Sequence, residues 1–279
     1  MTNFIAACVQ HNAKENIETN LPIVKDLIHL ALDQKADFIA LPECVSLMEP
    51  NQDYLIQKAP EEREHPFLEL YENEAKKSKI WLLGGTLAIK SKNNLGHNKI
   101  FNRLYLFNPL GKIVAKYDKI HMFDVNLGNG LVYSESETYE AGNRAVVANI
   151  PWGKLGLSIC YDIRFPNLYR DLAHAGANIL CAPAAFTKVT GEAHWHILQR
   201  ARAIETGSFI ISPALCGSHS GGKETYGHSL IIDPWGKILA DGGEGPGVIS
   251  AKIDMNKVNE VRAKIPSLQH DRTFTLETV

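Results

Sequence analysis

Leu155-Gly156-Leu157-Ser158-Ile159-Cys160-Tyr161-Asp162-Ile163-Arg164-Phe165-Pro166 is the stretch from which the fold can be read. An apolar strand ends at Cys160. Pro166 sits where a helix begins, because the first turn does not need the N–H that proline lacks. Cys160 therefore stands on a strand-to-helix turn. Such a turn can project a side chain outward and aim backbone N–H groups at a reacting oxygen. Working outward, hydrophobic patterning predicts strands near 145–150, 155–159 and 178–182, with helices near 166–176 and 193–206. The N-terminal half shows the same alternation. Residues 4–9 suit a buried strand, and Leu21, Val24, Ile28 and Ala31 recur at helical spacing. A helix is expected over about 20–33, with Asn20 as cap and Pro22 in the first turn. Phe38 to Leu41 is a strand ended by Pro42-Glu43, followed by a helix at 66–78 and a strand from Trp81 to Ile89. Strands alternating with helices define an α/β fold.

Two later segments resemble each other. Asn108-Pro109-Leu110-Gly111-Lys112 and Asp233-Pro234-Trp235-Gly236-Lys237 each place turn residues between apolar runs, which is hairpin chemistry and suggests two related halves. Residues 118–144 are long, polar and rich in Gly, Asn, Ser and Glu, and a loop of that length in a compact domain is usually functional. No linker or low-complexity tract interrupts the chain. One domain over 1–262 is expected, with 263–279 a sparsely apolar tail suited to packing on a partner subunit.

Of the 279 residues, 29 are Lys or Arg and 31 Asp or Glu, for a net charge of −2. That balance offers no surplus positive charge for nucleic acid. At 45% apolar and 22% charged, the composition excludes general disorder. No apolar run approaches the roughly 20 residues of a membrane span. The N-terminus lacks the basic and apolar blocks of a signal peptide. Cys8, Cys44, Cys160, Cys181 and Cys216 are odd in number, widely spaced and without a Cys-x-x-Cys pair, which fits reduced thiols in a cytoplasmic setting better than a disulfide or zinc framework.

Three residue environments can carry chemistry. A positive environment on the turn at Cys160 would favour the nucleophilic thiolate, although a buried structural cysteine is the ordinary alternative. Glu43 ends an apolar strand, where a carboxylate must be paired or have a raised pKa, and either condition suits a general base. Lys119, in Tyr117-Asp118-Lys119-Ile120-His121, lies where the chain leaves a strand for the long loop and could stabilise an oxyanion. Taken singly, a salt-bridged Glu and a solvated Lys are the commoner fates.

Leu41-Pro42-Glu43, Tyr117-Asp118-Lys119-Ile120-His121 and Ile159-Cys160-Tyr161-Asp162-Ile163-Arg164-Phe165-Pro166, in that order and each at a strand end, together resemble the Glu-Lys-Cys triad of the nitrilase superfamily of carbon–nitrogen hydrolases. The likeness runs from Cys8-Val9-Gln10 to Gln269-His270. It implies a four-layer α-β-β-α sandwich that assembles into homodimers or larger oligomers, and an enzyme needing neither metal nor organic cofactor. It also implies a second glutamate in the long loop, which Tyr133-Ser134-Glu135-Ser136 matches, so Glu135 is chosen over Glu137 and Glu140. Thr190-Gly191-Glu192-Ala193-His194-Trp195, Gln199-Arg200-Ala201-Arg202-Ala203-Ile204-Glu205-Thr206 and Tyr226-Gly227-His228-Ser229 are most similar to the branch of amidases acting on deaminated glutathione. The implied chemistry is attack by Cys160 on an amide, with Glu43 as proton carrier. Lys119 and the Tyr161 N–H would hold the oxyanion. Candidates for binding substrate carboxylates are Lys223, His228 and His219.

The sibling ω-amidases, acting on 2-oxoglutaramate or 2-oxosuccinamate, share much of this pattern. An N-carbamoyl amidohydrolase, an acyl transferase or a non-catalytic scaffold on the same fold are the other readings. An enzyme would be expected to show a low-pKa, easily alkylated Cys160. His194 and His196 fall on different faces of a helix and are read as packing residues. Trp195, Arg200 and Arg202 are read as a subunit-contact helix, and Asp162 with Arg164 as a local ion pair or helix-start support. Gly217 to Lys223 has phosphate-loop spacing but lacks the required Ser or Thr, since Glu224 follows. A Cys160–His pair with His121 or His228 lacks a local signature.

Overall fold

The computed structural model describes residues 2–91, 99–128 and 130–279. Met1 and Asn129, which fall in stretches read from the sequence, lie outside them. The strands are β1 (Asn3–Gln10), β2 (Phe38–Ala40), β3 (Trp81–Lys90), β4 (Ile100–Phe107), β5 (Ile113–Asp118), β6 (Asp124–Asn126), β7 (Val132–Ser134) and β8 (Val146–Ile150). They continue as β9 (Gly153–Leu157), β10 (Ile179–Cys181), β11 (Phe209–Ser212), β12 (Cys216–Ser218), β13 (Glu224–Tyr226), β14 (Leu230–Ile232), β15 (Ile238–Asp241) and β16 (Gly247–Asp254). The helices are α1 (Ile17–Asp33), α2 (Gln52–Lys58), α3 (Pro66–Ser78), α4 (Glu135–Thr138), α5 (Pro166–His174), α6 (Lys188–Thr190), α7 (His196–Thr206) and α8 (Asn256–Lys264), with a π turn at Gly191–Trp195 joining α6 to α7.

Two six-stranded sheets, β16-β1-β2-β3-β4-β5 and β8-β9-β10-β11-β14-β15, carry the chain. Their pairings correspond strand for strand. β1, β2 and β3 run parallel, as do β9, β10 and β11, and the remaining neighbours are antiparallel. The two turns matched in the sequence close the last hairpin of each sheet with one hydrogen-bond pattern. Asn108 Oδ1 accepts from the N–H groups of Leu110 and Lys112, and Asp233 Oδ1 from those of Trp235 and Lys237. The two halves are thus related.

Alternation along β1 explains the layers. Phe4, Ala6 and Cys8 join Leu155, Leu157, Ile179 and Cys181 in the core that includes both sheets, whereas Ala7 and Val9 face Val24, Ile28, Phe67 and Tyr71 of α1 and α3. Helices α5 and α7 pack on β9 and β11 of the other sheet. The order is helix, sheet, sheet, helix. No helix among the described residues is long and apolar enough to cross a membrane.

Several expectations are corrected. Helix α1 begins at Ile17, so Pro22 lies beyond its first turn. Asn20 is no cap: its buried amide donates to the carbonyls of Lys14 and Ser46 and accepts from the Lys14 N–H. The 118–144 stretch is not structureless, because β6 pairs with β7 and α4 follows. Trp195 is fully buried within its own chain and the buried Arg202 donates to the Ile163 carbonyl, so these two fasten α7 inward, whereas Arg200 donates to the Gly236 carbonyl from the exposed face of the helix. Asp162 and Arg164 do not pair. Arg164 instead approaches His194 and lies over the Tyr161 and Phe186 rings.

Burial pushes the imidazoles of His11 and His65 down to about 4. Below pH ~6.5 the unfolded chain therefore binds protons that the folded chain refuses, and stability falls as pH drops from ~6.5 toward ~4. Each residue is expected to cost about 2 kcal/mol at pH 5 relative to pH 8. Urea unfolding at the two pH values measures this. His65 caps α3 by accepting from the Phe67 N–H at 3.2 Å, so His65→Asn, which can keep that bond, should remove its share.

Candidate active site

Every group singled out for catalysis lies just past a strand end. Glu43 follows β2, Lys119 follows β5 and Cys160 follows β9. The Glu43 position depends on a bulge in β3 between Leu83 and Thr86. Gly85 there has φ +65, and a Cβ would strike the Pro42 carbonyl, so only glycine lets Leu41-Pro42-Glu43 lie this close. Thr86 fixes both sides of Glu43. Its N–H donates to the Pro42 carbonyl at 3.1 Å, and its Oγ1 accepts from the Cys44 N–H at 2.8 Å.

Cys160 is at φ +46, in the left-handed region that non-glycine residues avoid, at the start of a 3₁₀ turn over Cys160–Arg164 that leads into Pro166. Its N–H donates to the Pro183 carbonyl at 2.9 Å. The buried Asp162 carboxylate holds the turn. It accepts from the Ile159 N–H (2.9 Å), the Tyr117 hydroxyl (2.7 Å), the His121 N–H (3.1 Å) and His121 Nδ1 (2.6 Å). The His121 ring also stacks on Phe165 with centroids 3.5 Å apart. Asp162 thus supports the turn, as one of the two sequence readings had it, but through β5 and the loop beyond rather than through Arg164.

The polar centre is dense. Lys119, 2% exposed, donates to Glu43 Oε1 at 3.0 Å and to both oxygens of Glu135 at 2.8 Å. Glu43, 3% exposed, also accepts from the Ala185 N–H at 2.7 Å and from Asn102 Nδ2 at 2.9 Å. Glu135 opens α4 and accepts from the Phe123 N–H at 2.7 Å. Asn102 reaches it as well, at 3.4 Å, so one amide bridges the two carboxylates. The Asn102 carbonyl in turn accepts from the Lys119 N–H.

Burial opposes the charged form of Lys119, but the carboxylates of Glu135 and Glu43 outweigh it and hold the ammonium well above its usual range. Burial pulls the Glu135 carboxyl upward against the nearby Lys119 charge. For Cys160, burial and then the Glu43 carboxylate raise the thiol well above the ordinary range while Lys119 opposes them. The resting group is a thiol facing a carboxylate, not the acidic thiol expected from the sequence. The charged groups acting most strongly on it are Glu43, Lys119 and Glu135. This arrangement can pass the thiol proton to Glu43 as sulfur attacks, while a fixed cation stands beside the reacting centre.

These groups line a cleft of about 340 Å³ that also includes Cys44, Phe123, Tyr161 and Lys223. Lys223 acts electrostatically on Glu49, which pairs with Lys58 instead. The structure therefore brings Glu43, Lys119, Glu135, Cys160, Tyr161 and Lys223 together. His228 is not on the cleft lining: it pairs with Asp241 and stacks on Tyr226. His219 is a brace between the Ala13 carbonyl and Thr225. Cys8, Cys181 and Cys216 are buried, as expected of structural thiols, but Cys44 faces the cleft. Asn102 escaped sequence reading because Asn102-Arg103 sits in an ordinary strand pattern; its only sequence signal is an amide inside an apolar run.

A thiol, a carboxylate and a lysine converge here from the ends of two facing sheets, an arrangement suited to thiol-dependent hydrolysis. The carbon–nitrogen hydrolase family model matches residues 5–263, and the chain belongs to that family, as an amidase of the nitrilase superfamily. A deaminated glutathione amidase of Synechocystis is 41% identical over 97% of this chain and 98% of that protein. Among solved structures, the NitFhit protein of C. elegans superposes with a TM-score of 0.89 at 33% identity, covering 98% of this chain and 66% of that one. Nit3 of Saccharomyces cerevisiae, described as a member of branch 10 of the nitrilase superfamily, gives 0.84 at 31% identity over 95% of both.

Proposed function

We propose that this amidase hydrolyses deaminated glutathione, glutathione whose α-amino group is replaced by a keto group, through a thioester on Cys160. The observation carrying the mechanism is the hydrogen-bonded Glu43, Lys119 and Glu135 set that lines one cleft with Cys160. Glu43 takes the thiol proton as sulfur attacks the amide carbonyl. Lys119 and the Tyr161 N–H stabilise the oxyanion; the Cys160 N–H is already committed to Pro183. Glu43 returns the proton to the departing amine, then takes one from water, which cleaves the thioester and restores the thiol. Glu135 orients Lys119 by its two-oxygen grip. No step calls on a metal or organic cofactor.

The substrate reading is supported by the name of the Synechocystis relative and by Lys223, a cation on the cleft wall suited to a substrate carboxylate. Lys223→Ala is expected to raise KM about tenfold, the loss of one charge-assisted hydrogen bond, with kcat nearly unchanged. An unchanged KM would remove Lys223 from the reading. Steady-state hydrolysis of deaminated glutathione and 2-oxoglutaramate side by side tests the substrate. A higher kcat/KM for the first is expected, and the reverse order would make the chain an ω-amidase with the same mechanism.

The chain is further read as a homo-oligomer, a dimer or a larger assembly, in a reducing, cytoplasmic setting. Exposed Ile197 and Ile204 on α7, together with Phe274 and Leu276 in the 263–279 tail, support the first; five unpaired cysteines support the second. The tail base is held by Asp271, which pairs with Arg170 and with His174 of α5. Sedimentation of the full chain and of a chain ending at residue 272 would show whether the tail contributes to assembly.

A further inference from the structure

His196, His228 and Asp241 converge on one point outside the cleft lining. His196 opens α7, His228 lies between β13 and β14, and Asp241 ends β15. Asp241 Oδ1 is 2.8 Å from His228 Nδ1, and Oδ2 is 2.9 Å from His196 Nε2. One ligand-capable atom from each of the three residues lies within 4.8 Å of the others. Each group is also held by contacts outside the cluster. His228 has φ +52, a backbone that histidine rarely adopts. It is fixed there by its N–H to the Gly243 carbonyl, by the Trp195 Nε1–H to its own carbonyl and by stacking on Tyr226 at 4.4 Å. Asp241 accepts a second bond from the Gly243 N–H at 2.9 Å. The His196 ring stands edge-on to both Tyr226 and His228.

We propose that His196, His228 and Asp241 form a binding site for a divalent transition-metal ion, with zinc the ion best suited to the ligand set. The ligands are His196 Nε2, His228 Nδ1 and one Asp241 oxygen, and water completes the shell. Tetrahedral zinc with bonds of about 2.0–2.1 Å places its ligand atoms roughly 3.4 Å apart. The two nitrogens lie 2.8 and 2.9 Å from the carboxylate, each on its own oxygen, and one atom from each residue lies within 4.8 Å of the others, so a turn of the carboxylate with modest rotations of the part-exposed rings completes the site. Two imidazoles and a carboxylate suit zinc, copper or nickel, whereas magnesium and calcium favour all-oxygen shells. On binding, the N–H that each ring now donates to Asp241 gives way to the metal bond, and the proton passes through solvent to the other ring nitrogen, so a neutral ring changes tautomer with no net proton lost. The side chains are 20–33% exposed, which leaves an entry path and room for water. The carboxylates of Glu192 and Glu244 act on the adjoining Tyr226 and add to the negative field. His194, the sequence neighbour that would suggest a His-x-His pair, is not a member, since it approaches Arg164. The ion would clasp α7 to β15 behind Trp195, whose ring packs on Phe186 of the cleft wall at 4.9 Å. It would steady that wall without entering the chemistry at Cys160.

The test is titration of the metal-free full chain with Zn²⁺ and with Co²⁺ as a spectroscopic probe. The expected result is one ion per chain, with visible d–d bands and no thiolate-to-cobalt charge-transfer band. Affinity should weaken roughly tenfold or more in His196→Ala and in Asp241→Asn. His228→Asn, which tolerates the left-handed backbone, should do the same, with folding checked by circular dichroism. A thiolate band, uptake unchanged in both His196→Ala and Asp241→Asn, or no uptake at millimolar metal would each overturn the proposal.

Discussion

Replacing Cys160 with alanine is expected to lower kcat for amide hydrolysis by about 10⁵–10⁶-fold, the scale on which hydrolases lose activity with their nucleophile. The fold should survive. Alanine carries the same Cβ, so the backbone at φ +46 is no more strained than before. The turn is also held by Asp162 through four contacts that do not involve the sulfur. A stability change of about 1 kcal/mol or less is expected. The raised thiol adds a second readout on the unaltered chain. With burial and the Glu43 carboxylate favouring the protonated form, iodoacetamide should modify Cys160 slowly at neutral pH and faster as pH rises above 8. Activity at neutral pH would then depend on Glu43 removing the proton during attack rather than on a standing thiolate.

Lys119→Met is expected to damage activity and stability together, and the two effects can be separated. Loss of an oxyanion donor should slow turnover by about 10²–10³-fold. The change also leaves Glu43 and Glu135 buried, linked through Asn102 and without their cation. Removing one partner of a buried ion pair typically costs about 3–5 kcal/mol. Part of that cost should return on acidification. Without the Lys119 charge the Glu135 carboxyl rises further, so the folded chain binds a proton that the unfolded chain releases, and stability falls as pH rises through that range. The double variant Lys119→Met/Glu135→Gln should regain much of the stability and none of the activity. If it regains both, Lys119 serves only to neutralise the glutamates.

The convergence of the candidate groups was legible in the sequence because they sit where periodicity stops. Glu43 and Cys160 each follow an apolar strand and Lys119 follows the more exposed β5, and each stands at the end of its strand. The twin Asn108 and Asp233 turns were legible because an Asx turn is local: its donors lie two and four residues on. What sequence reading missed is held by distant partners. Asn102 lies 59 positions from Glu43, and Asp162 lies 45 from Tyr117. Asn20 resembles a helix cap, yet it serves Ser46, 26 positions away. His196 and His228 meet only because β15 delivers Asp241 between them, a register that no local pattern encodes. The thiol's resting state was misread for a related reason. A strand-to-helix turn suggests a positive field, but here burial and the glutamate brought by the other half of the fold outweigh it.

A covalent acyl group on Cys160 is tested directly by mass spectrometry of the full chain quenched in acid during turnover of deaminated glutathione. The 2-oxoglutaryl mass is expected on the peptide that contains Cys160, lost again when substrate is exhausted and absent from Cys160→Ala. Turnover that persists in Cys160→Ala with no adduct on that peptide would contradict it.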